Sequence, residues 1–283
     1  MVGFLTFIGF IGYILSIQYR DPGIFYVAIF LSFFMNIIGY WYSDKIALRM
    51  AHAEPIDLVK DIELKRMVEN IAITAGLPMP KVYIIRDPAP NAFATGRNKH
   101  HSAIAVTSGL LSMLDRAELE GVIAHEMAHI GNRDTLLATV VVILVGLLSI
   151  ASDMFVRTSI FGGRDSDNKA GGILAIIGVI LLILSPIIGT IIQLAISRRR
   201  EFLADATAAL LTRYPEGLAN ALRKIENYAA HGAPLEHASD ATAHMYFANP
   251  FGPSKMLKGV HKLFMTHPPT EERIKALLGG RKE

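Results

Sequence analysis

The sequence contains no cysteine, a single tryptophan and no strong excess of either charge. Without cysteine the chain can form neither a disulfide nor a cysteine-ligated zinc site, and the absence fits a reducing compartment. The net charge is only +3, and no stripe of basic and aromatic residues accompanies it. We therefore expect no nucleic-acid partner.

Charged residues are also missing from four long stretches. These stretches cover residues 2–19, 22–43, 135–152 and 170–197. A helix that crosses a bilayer needs roughly 17–25 largely apolar residues, so each stretch is long enough to span one. Pro186 predicts a kink in the last stretch. The sequence thus predicts an N-terminal transmembrane hairpin over residues 1–43 and two further membrane helices with a connecting loop over residues 135–197.

The first stretch has an alternative interpretation as a cleaved signal peptide. No basic residue precedes it, no small-residue cleavage site follows, and Asp21-Pro22 leads directly into the second stretch. These features favour the helical hairpin.

The polar segments over residues 44–134 and 198–283 predict the two parts of one catalytic domain. Asp115 and Glu118 have capping-box spacing and predict a helix that runs to residue 130. Apolar periodicity predicts further helices over residues 55–75, 198–214, 216–229 and 271–278, short strands over 82–85 and 103–106, and a loop over 231–254. The expected fold class is mainly α with a small β-sheet.

The most informative motif is His125-Glu126-Met127-Ala128-His129, which matches H-E-x-x-H. On a helix, residues i and i+4 lie on one face about one turn apart, so both imidazoles can bind one metal ion. Glu126 lies beside them, where it can deprotonate a water molecule at the metal. Nitrogen and oxygen ligands favour Zn²⁺, and we expect one ion per chain.

A catalytic zinc site needs a third protein ligand. The metzincin pattern would place glycine at 132 and histidine at 135, but Asn132 and Thr135 exclude it. Glu201 is the candidate ligand, and Asp205, one turn later, would accept a hydrogen bond from a ligand imidazole. Alternatively, Glu201 pairs with the arginines that precede it.

Topology constrains this ligand set. His129 and Glu201 can share one ion only if the chain between them crosses the membrane an even number of times, and two candidate spans satisfy that condition. Basic residues are slightly enriched on the same side, at Lys45, Arg49, Arg133 and Arg198 to Arg200, against Arg20, Arg157, Arg164 and Lys169 on the other. This bias predicts a cytoplasmic active site close to the surface of the cell (inner) membrane.

With these motifs, the sequence resembles the HtpX family of membrane zinc metallopeptidases, heat-shock proteases of a superfamily that includes the CAAX prenyl proteases. Residues 125–134 resemble the family's extended H-E-x-x-H-x-x-N-x-D motif, and residues 200–206 resemble its third-ligand helix. The resemblance supports Glu201 as a zinc ligand. It implies a zincin-like (gluzincin) domain fused to about four transmembrane helices, and proteolysis of misfolded or damaged membrane proteins in a stress response.

Two further segments carry the resemblance. Residues 91–96 resemble the family's strand beside the cleft, which implies that Asn91 and Phe93 present an edge strand to an extended substrate, although a plain structural strand is the alternative. His267-Pro268-Pro269, with Arg273, resembles the C-terminal signature. His267 either assists the tetrahedral intermediate or caps the last helix.

Three other functions compete with this one. A CAAX prenyl protease would act on lipidated peptides, but that branch generally has a longer chain with more spans. A membrane scaffold with a vestigial zinc site would have no need of Glu126. A transporter is disfavoured because no predicted span carries an ionisable residue in its interior. The expected partners are protein or peptide substrates and the lipid bilayer, and the oligomeric state is left open.

Overall fold

A computed structural model of the chain describes residues 2–136, 198–236, 246–247 and 268–279. The chain divides into two compact units; Met1–Ser43 belongs to one, and the described residues from Asp44 onward belong to the other. Three expectations lie wholly or mostly outside the described residues: the spans over 135–152 and 170–197, the loop over 231–254, and the role of His267.

The uncharged N-terminal sequence forms two helices, α1 (Val2–Tyr19) and α2 (Pro22–Met50). They approach closely at Gly12, where an added Cβ would collide with the Ala28 side chain. The predicted pair of helices is confirmed, although α2 continues past the uncharged stretch to Met50. Within the described ranges, no helix combines the length and apolar character needed to cross a bilayer. The predicted spanning of a membrane therefore stays a prediction.

A four-stranded mixed sheet lies in the second unit, in the order β1-β2-β4-β3. Its strands are β1 (Ala53–Pro55), β2 (Lys81–Ile85), β3 (Ala92–Asn98) and β4 (His101–Thr107). β2 and β4 are parallel, whereas the other neighbours are antiparallel. In β3, Gly96 has φ 134°, and an added Cβ would collide with the His101 backbone, so the bend near the end of this strand requires glycine.

Six further helices are described in this unit: α3 (Ile62–Ala75), α4 (Ser108–Met113), α5 (Arg116–Gly131), α6 (Arg198–Thr212), α7 (Pro215–His231) and α8 (Thr270–Leu277). The capping box of Asp115 and Glu118 at the start of α5 is confirmed. The prediction for α3 began too early. The Asp57 carboxylate accepts the backbone N–H groups of Val59 and Lys60 and forms a turn there, which leaves Leu58 exposed.

Alternating side chains place two apolar clusters on opposite faces of the sheet. Ile104 and Val106 of β4 belong to the cluster formed with α3, α5 and α7, whereas Ala103 and Ala105 belong to the other. Helix α5 is central, because it packs against α3, α6, α7 and β3. At Gly121 it lies so close to α7 that an added Cβ would be 2.8 Å from the Leu218 nitrogen. The buried position of α5 fixes the residues that it carries.

Candidate metal centre

Helix α5 brings two imidazoles together in the interior of the second unit. His125 and His129 lie one turn apart, and their Nε2 atoms are 3.1 Å from each other. His125 is buried, with 1% of its surface exposed, whereas the side chain of His129 is 16% exposed. The site is therefore more accessible to solvent beside His129 than beside His125.

Helix α6 supplies the third group, as predicted. The Glu201 Oε2 atom is 3.7 Å from His125 Nε2, and Glu201 Oε1 is 3.5 Å from His129 Nε2. These three residues form a group that can hold a metal ion. In a tetrahedral zinc site with bonds of about 2.1 Å, neighbouring ligand atoms lie about 3.4 Å apart. The observed spacing and the nitrogen and oxygen donors therefore fit a zinc ion.

The His125 imidazole is held from behind by a carboxylate. Its Nδ1 atom is 2.9 Å from Asp205 Oδ1, and Arg273 of α8 binds both Asp205 oxygens, at 2.8 Å from Nε and 2.7 Å from a terminal nitrogen. That nitrogen is also 3.4 Å from His125 Nδ1. Because the carboxylate only accepts and lies closer, Nδ1 carries the hydrogen and donates it to Asp205. His125 Nε2 thus keeps its lone pair for a metal.

The His129 imidazole is held in the same manner by a second pair of residues. Its Nδ1 atom is 3.1 Å from Asp134 Oδ2, while Asp134 Oδ1 accepts a hydrogen bond of 3.0 Å from Arg200. Nδ1 again donates, and Nε2 is left for the metal. In the alternative interpretation, Glu201 pairs with the arginines that precede it. Arg200 is one of these arginines, but it forms an ion pair with Asp134.

The pKa values of the two imidazoles move in opposite directions. Burial lowers the pKa of His125 to about 4, against the opposing effect of Asp205. Burial also disfavours the charged form of His129, but the hydrogen bond to Asp134 and the charges of Glu201 and Glu126 outweigh it and raise the pKa to about 9. The site therefore attracts a proton more strongly at His129 than at His125.

The charges around the ligands explain why this proton is attracted. Four carboxylates meet two guanidinium groups, which leaves a formal charge of −2 when the imidazoles are neutral: Glu126, Asp134, Glu201 and Asp205 against Arg200 and Arg273. A divalent cation cancels that charge without adding an unpaired one. The donor set and the charge balance both fit Zn²⁺.

Glu126 lies within the buried part of the site, with 3% of its surface exposed. Its negative charge raises the pKa of His129 and of Arg273, so its carboxylate is close to both. The Phe247 ring lies edge-on to His125, with 5.1 Å between the ring centroids, and contacts Arg273 at the same distance. The Phe247 ring thus lies on one side of His125, and helix α5 carries the imidazole.

Strand β3 is at the edge of the described sheet, beside α5. Asn91 precedes it, with its backbone N–H donating to Thr107 Oγ1 and its carbonyl accepting from Thr107 N. The Phe93 side chain is 1% exposed and packs edge-on against Tyr246. Because Phe93 points into the core, its side chain is not placed to meet a substrate. The substrate-binding roles of Asn91 and Phe93 stay predictions.

Sequence reasoning assigned no role to four contributors to the site. Asp134 and Arg273 were noted only as members of motifs, and Phe247 was not noted. Arg200 was noted only as part of a basic flank and as the first residue of the segment that resembles the third-ligand helix. The available signal was an acid five residues after His129 and an arginine directly before Glu201. Phe247 gave no signal, because nothing in its local sequence indicates its contact with His125.

Comparisons with known proteins agree with this geometry. The model of peptidase family M48 matches residues 59–280. The Protease HtpX homolog of Caldanaerobacter subterraneus subsp. tengcongensis is 52% identical over 260 residues, which cover 90% of this chain and 84% of that protein. The Protease HtpX homolog of Pyrococcus furiosus is 47% identical over 270 residues, which cover 94% and 89%.

The crystal structure of S. mikatae Ste24p has a similar fold. The TM-score is 0.51 at 19% sequence identity, and the match covers 98% of this chain. This chain spans 63% of the length of that structure. The similarity therefore concerns the arrangement of the backbone.

Proposed function

This chain belongs to the HtpX proteases of peptidase family M48 and is a metalloprotease, and from that membership we propose that it is a zinc-dependent endopeptidase. The supporting observation is the convergence of His125 Nε2, His129 Nε2 and a Glu201 carboxylate oxygen within 3.1–3.7 Å of one another. These three residues would hold the ion, while Glu126 performs acid–base chemistry beside it.

A zinc ion, when bound, supplies a Lewis acid that lowers the pKa of water and polarises a carbonyl group. Residues of the chain transfer the proton and orient the ligands. The Glu126 carboxylate accepts a proton from the attacking water and then delivers it to the nitrogen of the leaving amine. Asp205 and Asp134 fix the Nδ1–H tautomer of the two imidazoles, so both Nε2 lone pairs point towards the ion.

The outer edge of β3, on the side away from β4, is the proposed substrate platform. Peptide groups alternate in direction along a strand, and the Ala92 carbonyl, which accepts from Phe247 N, faces away from β4. The backbone groups of Ala94 face the same way. An extended peptide that pairs with Ala94 would run along α5 towards Glu126, with affinity from main-chain hydrogen bonds and little dependence on side chains.

We also propose that the chain is held in a membrane and that its catalytic unit is cytoplasmic. The support comes from the sequence: four stretches without charge, an even number of them between His129 and Glu201, and a modest excess of basic residues on one side. Misfolded or damaged membrane proteins are the proposed substrates, because such a protease meets their cytoplasmic segments.

The decisive experiment compares Glu126→Gln and Glu201→Ala in the full chain, purified in detergent. The glutamine variant keeps every proposed ligand but loses the proton acceptor, so cleavage of an unfolded protein should fall at least about 100-fold while zinc content stays at one per chain. The alanine variant should lose zinc as well as activity. Elemental analysis and a cleavage assay provide the two measurements, and chelation of the wild-type protein should abolish cleavage.

Glu120→Gln is the matched control, since Glu120 lies on the same helix outside the ligand group. It should retain both zinc and activity. Wild-type activity in Glu126→Gln would refute the role of Glu126, and a zinc-loaded wild-type protein without activity would support a scaffold. Preference for a prenylated peptide over an unfolded protein would support the prenyl-protease alternative.

A further inference from the structure

The ligand His129 is connected to a residue whose role neither the motifs nor the family match assigns. His129 Nδ1 is 3.1 Å from Asp134 Oδ2, and Arg200 donates to Asp134 Oδ1 at 3.0 Å. We propose that Arg200 is a positioning residue of the metal centre, which acts through Asp134 on the orientation of the His129 imidazole. The inference rests on the proposed metal site.

The carboxylate of Asp134 has two oxygens with two different tasks. One accepts the imidazole hydrogen, and the other is occupied by the guanidinium of Arg200. A carboxylate held at one oxygen alone can rotate about its Cβ–Cγ bond and exchange its imidazole partner for water. With Arg200 bound at the second oxygen, the plane of the carboxylate is fixed, and the imidazole keeps its Nε2 lone pair directed at the metal.

The position of the pair in the chain places Arg200 beside two ligands. Asp134 follows the end of α5, while Arg200 lies in the first turn of α6, and 66 positions separate them. Arg200 is also the residue before Glu201. One turn of α6 therefore carries a ligand for the ion and the partner of the acid behind another ligand.

The exposure of the pair separates this role from a role in folding. The side chain of Arg200 is 36% exposed and that of Asp134 is 13% exposed, whereas Arg273 and Asp205 are both 2% exposed. Partly exposed ion pairs contribute little to stability. Loss of Arg200 should thus leave the chain folded while it weakens the metal centre, a combination not expected for loss of Arg273.

Arg199 offers a matched control within the same basic run. It lies on α6 directly before Arg200 but is exposed, as is Arg198. A flank that serves only as a positive charge beside an apolar stretch would use the three arginines interchangeably. The structure assigns a contact with Asp134 to Arg200, so substitution of Arg199 should have no effect on metal binding.

The test compares Arg200→Gln, Arg200→Lys and Arg199→Gln in the full chain, purified in detergent. Zinc affinity is measured by competition with a chromophoric chelator, and the absorption spectrum of the cobalt-loaded protein reports ligand geometry. We expect Arg200→Gln to weaken zinc binding by about 10–100-fold, the usual effect of removing an outer partner of a ligand, and to change the cobalt spectrum. Arg199→Gln should match the wild type, and Arg200→Lys should recover part of the affinity.

A double substitution tests the route through Asp134. Asp134→Asn and Arg200→Gln together should weaken zinc binding no more than the stronger single substitution, because both remove the same support. Additive losses, or wild-type affinity in Arg200→Gln, would overturn the inference. A lowered denaturation midpoint in metal-free Arg200→Gln would overturn it too, because Arg200 would then be structural. If the wild-type protein itself binds no zinc, the proposed function fails first.

Discussion

Arg273 carries a full charge although its side chain is 2% exposed. It is tolerated because both Asp205 oxygens bind it and the Phe247 ring lies against it. The same interactions hold the pKa of Asp205 at about 2, against the effect of burial, through hydrogen bonds from Arg273 and His125. Removal of either member takes the main ionic partner from the other, because Asp205 keeps only the hydrogen bond from His125 and Arg273 keeps only the more distant Glu201 carboxylate at 3.7 Å.

Arg273→Gln should therefore destabilise the protein strongly. Breaking a buried ion pair typically costs about 3–5 kcal/mol, so the denaturant midpoint of the variant should fall clearly below that of the wild type, although Asp205 keeps its hydrogen bond from His125. Lys275→Gln is the control, because Lys275 is exposed on the same helix, and its effect should stay within about 0.5 kcal/mol. Equal midpoints for the two variants would show that the Arg273 pair does not stabilise the fold.

Residue types and local spacing were sufficient to predict part of the site. His125, Glu126 and His129 belong to one helical turn, and the sequence also indicated Glu201 and its neighbour Asp205 on a second helix. The rest depended on distant contacts. Arg200 follows an apolar stretch and was assigned to a membrane flank, because nothing local indicates a partner 66 positions away.

The edge of β3 permits a test at the level of one element. Ala94 directs its backbone N–H away from β4, whereas Thr95 directs its own towards Ala103. Ala94→Pro removes the outward donor without breaking a hydrogen bond to β4. If substrate pairs with this edge, KM should rise about fivefold, the equivalent of one neutral hydrogen bond, with zinc content unchanged.

Thr95→Pro provides the contrast, because it removes a donor inside the sheet. That variant should lose more stability than Ala94→Pro, visible as a lower denaturation midpoint, because it also removes the buried Thr95 side chain. A wild-type KM in a folded Ala94→Pro variant would show that substrate does not bind through this donor.

Element prediction succeeded where the signal was local. Helix α5 begins at the capping box that the sequence predicts, and α7 buries Leu218, Leu222 and Ile225 at helical spacing. Strand β1 was missed because three residues carry too short a pattern, and its pairing partner is β2. Helix α3 began later than predicted, since an aspartate turn competes with the helix for the same backbone donors.

At the scale of the whole molecule, the absence of cysteine makes the chain suitable for mapping with single introduced cysteines. Glu69→Cys lies on an exposed face of α3, and Ser166→Cys lies in sequence between the third and fourth uncharged stretches. In intact cells, a membrane-impermeant maleimide should label Ser166→Cys and not Glu69→Cys. After lysis both should react.

The mapping tests the even number of crossings that the ligand set requires. Labelling of Glu69→Cys in intact cells would place the catalytic unit on the outer side. Protection of Ser166→Cys in intact cells, followed by labelling after lysis, would mean that the third and fourth stretches do not cross as a pair. The cysteine-free wild-type chain should remain unlabelled in every condition.

His125 and Arg273 belong to one centre although 148 positions separate them. A ribosome releases the two histidines long before it releases the arginine. Until then, Asp205 lacks the guanidinium that neutralises it, and His125 lacks a firmly held carboxylate. The support of the His125 imidazole is therefore incomplete until residue 273 has been synthesised and α8 has packed against α6.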